Sequence, residues 1–340
     1  MRIEKDQVQV LSGVMDGKTT GAPITLVVVN RDHQRWAGKE IEGFSTPRPG
    51  HADLAGLIKY GFEDIRPVLE RASARETTSR VAVGAICRQL LAEFGITIGG
   101  YVSAIGPVKA GLDGIPLNER IKAGLDAPTG CPEPVAAKNM ENAIGKIMQA
   151  KNTLGGVIEV VALGLPAGLG SYVHYDRRLD ARLGAAVLSV QAMKGVEIGD
   201  AFANAAIPGT EVQDAIRLDG DLIQRPGYRD GGLEGGVTTG QPLLMRVAMK
   251  PIATTLSPQH TVDLASGKET ETVYERSDFC PVPRAVVILE AMVAFVLADA
   301  LMEKLGGDSI KEMKPRFSSL KKATLSDLVL KKQKFIWWEE

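Results

Sequence analysis

The feature that most restricts the fold is an apolar run from Ala285 to Met302. Its length tempts a membrane-span reading, since about 20 apolar residues cross a bilayer. Two carboxylates, Glu290 and Asp299, interrupt it. A charge inside a span costs roughly 2.5–3.5 kcal/mol on insertion scales. The run therefore reads as a long helix buried in the core of a soluble protein. A chain of 340 residues can bury such a core, as one large domain or two ordinary ones.

Composition narrows the partners. Basic and acidic residues balance, 40 against 41, which argues against a general nucleic-acid or membrane-surface binder. Aromatics are too few for the stacking platforms of single-strand binders. Cys87, Cys131 and Cys280 are widely spaced and suit a reducing cytoplasm better than a disulfide scaffold. No signal peptide is visible at the N-terminus. The four histidines (His33, His51, His174, His260) lie far apart, without metal-ligand spacing.

Along the chain, alternation at Val8 and Val10 and a second strand near Ile24–Val29 predict a hairpin or paired strands. Gly17-Lys18-Thr19 has the ending of a phosphate-binding P-loop, but the first glycine of that motif would fall on Ser12, so the motif is rejected. From Arg31 to Ser45, with His33 and Trp36, the sequence reads as a surface loop. A helix is expected over Arg75–Phe94, opened by a capping box at Ser73 and Glu76 and stopped by Gly95. Ile96–Val108 reads as a strand, and Gly111–Pro134 as loop. A helix spans Val135–Lys151, a strand Gly155–Gly164, and an alanine-rich helix Asp180–Met193. Gly164, Gly168 and Gly170 lack the spacing of a dinucleotide fingerprint and read as a tight loop. The expectation is one compact α+β domain over residues 1–317, with a charged tail over 318–340 that carries Trp337 and Trp338.

Candidate chemistry gathers in Pro47–Arg80. Pro47, Pro49 and Gly50 put Arg48 and His51 on a loop, where sites tend to lie. Ser73 and Arg75 open a helix, whose N-terminus attracts anions. Arg276 and Asp278 sit at a corner before the long apolar helix. Each feature has an ordinary alternative: a capped helix beside a proline turn, a turn at Gly235-Gly236, and a surface Arg276–Asp278 pair worth little. The inventory suits holding a polyanion and moving protons.

These residues resemble a known family. PRPGHADLAGLIKY, ERASARETTSRVAVGAI and ERSDFCPVPRAVVILEAMVA are together similar to chorismate synthase. So are GAPITLVVVNRDHQRW, GGVIEVVALGLPAGLGSY, LDARLGAAVLSVQAMKGVEIG and GGLEGGVTTGQPLLMRVAMKPIATT. The resemblance implies helices layered between mostly antiparallel β-sheets, and a cytoplasmic homotetramer of the shikimate pathway. It implies an anti-1,4-elimination of phosphate from 5-enolpyruvylshikimate 3-phosphate, giving chorismate, with reduced FMN required but not consumed. No flavin-reductase insertion is present, so the resemblance implies an external flavin reductant.

Residue by residue, the resemblance assigns flavin contacts to Ser73, Ala74 and Arg75, to Gln191 and Ala192, to Gly235, to Lys250, Pro251, Ile252, Ala253 and Thr254, and to Arg276. Arg48 matches a substrate-binding arginine. His51 matches a histidine that protonates reduced flavin, and Asp278 an acid that works with the flavin in taking the ring proton. The family's first roughly fifty residues have no counterpart here, and they carry a G-E-S-H-G histidine and further arginines; loss of one proton-transfer group typically removes roughly 10²–10⁴-fold in rate. Two expectations follow: a chorismate synthase written without its N-terminus, or a catalytically silent flavin- or anion-binding protein.

Overall fold

The computed structural model describes residues 6–31, 33, 37–275, 277–328 and 330–334. Strand β1 (Val8–Ser12) pairs antiparallel with β2 (Thr25–Val28), as the alternation predicts. Between them Asp16 and Gly17 take φ of 50° and 72°, a turn that Asp-Gly favours in tight hairpins. Lys18 lies in the returning strand, so the Gly-Lys-Thr triplet belongs to a hairpin.

Helices α1 (Asp53–Tyr60), α2 (Arg66–Ala72) and α3 (Thr77–Ala92) follow. The capping-box expectation is corrected here. Ser73 Oγ accepts from the Arg75 amide at 3.3 Å, and one turn of 3-10 helix, Ala74–Glu76, precedes α3. The Glu76 carboxylate does not reach back to Ser73; it takes Arg71, Arg80 and Gln191. Charged donors outcompete a neutral amide for a carboxylate.

The expected Ile96–Val108 strand is a hairpin, β3 (Thr97–Ile105) and β4 (Val108–Lys109). Pro107 lacks an amide hydrogen and cannot continue a ladder. The proline-rich stretch expected as loop contains α4 (Leu117–Asp126). Pro116 and Pro128 bracket this helix instead of breaking it, and Leu117 and Ile121 pack with Tyr101. Helix α5 (Pro134–Gln149) is capped by Glu133, which accepts from the amides of Val135 and Ala136. Next come β5 (Gly156–Leu163), α6 (Leu179–Leu188) and β6 (Met193–Ile198). The alanine-rich helix thus stops before Met193: the chain reverses at Ala192, φ 65°, and residues 193–198 enter the sheet. Strand pairing overrides alanine's helix preference there. Strand β7 (Leu243–Met249), the hairpin β8 (His260–Asp263) and β9 (Lys268–Glu271), α7 (Val282–Leu305) and α8 (Ile310–Ser318) complete the chain's principal elements.

One antiparallel sheet runs in the order β4-β3-β5-β7-β6. Its faces alternate as the two-residue strand period requires. Ile158, Val160 and Ala162 join the large core with Leu289, Val293 and Leu297 of α7, whereas Val161 joins Tyr101 and Leu117 on the other face. Helix α7 packs on the sheet with α3 and α6 beside it, and β2 packs against α3. Helices thus lie between sheets in an α+β fold. By length and composition α7 could cross a membrane, but it is a core helix. Its three carboxylates find partners: Glu290 with Arg88, Asp299 with Arg182, and Glu303 with Arg177 and Arg182. Burial still pushes the Glu290 carboxyl up, with Arg88 pulling against it.

Gly84 on α3 lets the two helices meet. A Cβ there would stand 2.3 Å from the Cβ of Ala291. Gly84→Val is expected to separate α3 from α7 and lower stability by about 1–3 kcal/mol, read as a lower denaturant midpoint with unchanged slope.

A polar row crosses four strands on the sheet face away from α7. Tyr101 lies opposite Glu159, Glu159 opposite Arg246, and Arg246 opposite Glu197. Tyr101 donates to Glu159 at 2.5 Å, and Arg246 to Glu197 at 2.5 Å. Burial, and then Glu159, push the Tyr101 hydroxyl above the ordinary phenol range. Tyr101→Phe withdraws a donor from a buried carboxylate, and a loss of about 1–3 kcal/mol is expected, measured by chemical unfolding.

Candidate active site

The Pro47–Asp53 segment folds as its sequence dictates. Gly50 takes φ 74°, and the His51 amide donates to Arg48 O at 3.2 Å. That turn brings three side chains onto one point. Asp53, the first residue of α1, is fully buried. Its carboxylate accepts from Arg48 Nε at 2.8 Å, Arg48 Nη2 at 3.1 Å and the Arg48 amide at 3.0 Å. His51 Nδ1 lies 2.5 Å from Asp53 Oδ1. Burial alone would push the Asp53 carboxyl up; the bonds from His51 and Arg48 outweigh it and hold the carboxyl well below the usual range.

The strap of residues 250–254 bonds this loop directly, and further segments are joined to it through the strap. Arg48 Nη1 donates to Thr254 Oγ1 at 3.1 Å, and Lys250 Nζ to Gly50 O at 2.5 Å. Thr254 O accepts from Ser277 Oγ at 2.9 Å, which sets Asp278 beside the 250–254 strap. Ile252 O accepts from Thr153, and Ala253 O from Gln259; Pro251 is exposed. The Lys250 amide donates to Ala192 O at 2.9 Å. Gln191 Nε2 reaches Glu76 at 3.3 Å, which ties in the Ser73-Ala74-Arg75 turn. Asp278 pairs with Arg284. Arg75 holds Asp6 through two bonds of 2.9 Å and donates to Val29 O.

The structure thus links Arg48, His51, Ser73–Arg75, Gln191, Ala192, Lys250–Thr254 and, through Ser277, Asp278. Gly235 is not joined to them. It sits exposed between strands Leu233–Glu234 and Val237–Thr239, and its neighbour Gly236 accepts from Leu179. Arg276 lies outside the described residues, as do Trp36, Trp337 and Trp338. Asp53 was missed by the sequence reading. Its signal, a carboxylate two residues after a loop histidine at a helix start, is too common to single out unaided.

Two details distinguish the Gln191–Ala192 wall. Gln191 Oε1 is buried without a hydrogen-bond partner, and the next residue, Ala192, has a positive φ. Left-handed backbone in a non-glycine residue carries strain and clusters at functional sites. The segments that build this wall are among those whose sequences resemble a family, and comparison with known proteins decides which family the chain belongs to. The family profile described as chorismate synthase matches residues 1–302.

The chain belongs to the chorismate synthase family.

A chorismate synthase of Chlorobaculum tepidum is 47% identical over 334 residues, spanning 93% of this chain and 84% of that protein. Those of Desulforudis audaxviator and Symbiobacterium thermophilum are each 49% identical, over 92% of this chain and 83% and 84% of their own lengths. A solved structure described as chorismate synthase superimposes with a TM-score of 0.76 at 41% identity, covering 92% of this chain and 83% of its own. Chorismate synthases are carbon–oxygen lyases of aromatic amino acid biosynthesis that act on a small molecule. Among the described residues no group of three metal-ligating side chains comes together.

Proposed function

We propose that this chain catalyses the anti-1,4-elimination of phosphate from 5-enolpyruvylshikimate 3-phosphate to chorismate, with reduced FMN bound at the converged loops. The observation that carries the reading is the chain of hydrogen-bonded segments that starts at the His51 loop. It joins a loop histidine, a helix N-terminus, a lysine-bearing strap and a carboxylate corner.

The residues present fit a flavin. Gln191 offers an unpartnered buried oxygen, the Ser73–Arg75 turn opens the sixteen-residue α3, and helix N-termini favour anions. Ser73, Ala74, Arg75, Gln191, Ala192 and the strap Lys250–Thr254 would hold it. Gly235 and Arg276 enter this proposal on resemblance alone. Reduced FMN, when bound, supplies an electron-rich partner to the elimination and is returned unchanged overall.

The chain's own groups supply the rest. Asp278 accepts the proton that leaves the substrate ring. His51 delivers the proton that keeps the reduced flavin neutral. Arg48, with most of its donors turned to Asp53, His51 and Thr254, offers one remaining Nη1 hydrogen to a substrate anion. The ring C–H and the C–O bond to phosphate break, one new double bond forms, and phosphate departs with the electron pair. The same reading carries a homotetramer, an external source of reduced flavin, a cytoplasmic setting, and a catalytic unit ending near residue 317.

The test is anaerobic release of phosphate from the substrate by the 340-residue chain with dithionite-reduced FMN, alongside the rise of chorismate absorbance. Release dependent on reduced FMN is the expected result. A folded chain that binds FMN and releases nothing overturns the lyase reading and leaves a flavin- or anion-binding protein.

A further inference from the structure

We propose that Asp53 is the positioning residue for His51: it fixes the imidazole with its proton on Nδ1 and leaves Nε2 as the atom that exchanges protons. The functional half of this inference rests on the reading of His51 as a proton donor in the elimination; the structural half does not.

Donors and acceptors around the ring decide the tautomer. An ionised carboxylate only accepts hydrogen bonds, and a guanidinium only donates. Nδ1 of His51 meets both, Asp53 Oδ1 at 2.5 Å and Arg48 Nη2 at 3.0 Å. A bare Nδ1 would satisfy Arg48 but set a lone pair against a buried carboxylate oxygen. A protonated Nδ1 makes the short, charge-assisted bond. The shorter contact and the fully buried carboxylate decide for Nδ1–H. In the neutral ring Nε2 then carries the lone pair, and the bond at one nitrogen sets the role of the other. Nε2 stands 3.4 Å from Arg48 Nη2, a donor that favours the unprotonated atom. The charged groups facing His51 are Asp53 and Arg48 from its own segment and, from the strap, Lys250, whose ammonium donates to the neighbouring Gly50 O.

The experiment is nitrogen NMR of the full chain with labelled histidine, His51 being identified among the four histidines by the signal lost in His51→Gln. The expected neutral form in the wild type is Nδ1–H. In Asp53→Asn, Arg48 claims the amide oxygen, the amide NH₂ faces Nδ1, and the neutral ring moves to Nε2–H. The elimination rate constant then falls about 10²–10⁴-fold, with KM changed little, as when a buried Asp that orients a His is replaced. An Nε2–H wild type, or an Asp53→Asn ring still in the Nδ1–H form, overturns the inference. If Asp53→Asn does not fold, the wild-type tautomer alone decides. The NMR arm needs neither flavin nor substrate. A tautomer switch in a chain without turnover therefore counts against the proposed function, while turnover with no switch counts against Asp53.

Discussion

Arg48→Met is expected to lower the free energy of unfolding by about 3–5 kcal/mol, the usual cost of removing one partner of a buried ion pair. Methionine fills much of the arginine stem's volume, so the lost packing is small. The cost comes from Asp53, which is fully buried and loses two of the side-chain bonds that keep it ionised. His51 remains as its side-chain partner. The sign of the pH dependence follows from the depressed Asp53 carboxyl. Such a group stabilises the fold above its unfolded value, about 3.9. That contribution drains as pH falls below this value toward the folded one. The gap between wild type and Arg48→Met is therefore widest near neutrality and narrows in acid. Urea unfolding of both chains at several pH values checks this. A gap below about 1 kcal/mol near pH 7 would mean that Asp53 finds other donors.

His51→Ala and Asp278→Asn are each expected to slow phosphate release by about 10²–10⁴-fold, the range for loss of one proton-transfer group. The two differ in what accompanies the loss. His51 is part-buried and its imidazole touches Asp53 and Arg48, so its removal also withdraws a donor from Asp53 and costs stability. Asp278 lies on a half-exposed corner, paired with Arg284, so Asp278→Asn leaves the melting temperature near wild type. Single-turnover kinetics with reduced FMN, together with thermal melts, separate the two. If Asp278→Asn keeps full activity, the proton leaves the ring by another route, and the assignment of Asp278 fails.

The missed parts of the structure have identifiable causes. The helix Leu117–Asp126 was hidden because prolines at 116 and 128 read as breakers, whereas Pro116 precedes the helix and Pro128 follows it. The alanine-rich segment after Asp180 has helix preference as far as Met193, and only the vacant edge of β7 turns its end into a strand. The Ser73–Glu76 pair satisfies the capping-box pattern, but the pattern cannot see Gln191 arriving from more than a hundred residues away. The second case turns on a long-range partner; in the first the prolines lie just outside the helix they seemed to break, and in the third the nearby Arg71 and Arg80 join Gln191 in holding Glu76.

Sequence by itself determined the elements that depend on local chemistry. The long apolar run of residues 285–302, interrupted only by Glu290 and Asp299, made a core helix, the Pro-Gly turn put His51 on a loop, and the Asp-Gly pair closed a hairpin instead of a phosphate loop. It also carried the motifs by which the family is recognised. Only the tertiary structure decided what those side chains meet. Arg48, placed by its prolines on a loop, is buried on Asp53; Arg75, set by its position to face an anion, holds Asp6; Gly84 is where two helices touch. These outcomes depend on which distant donor reaches a carboxylate first and on which residues stand across a packed interface. Neither is encoded in spacing along the chain, because both are set by contacts between segments that meet only when the sheet and α7 have closed the core.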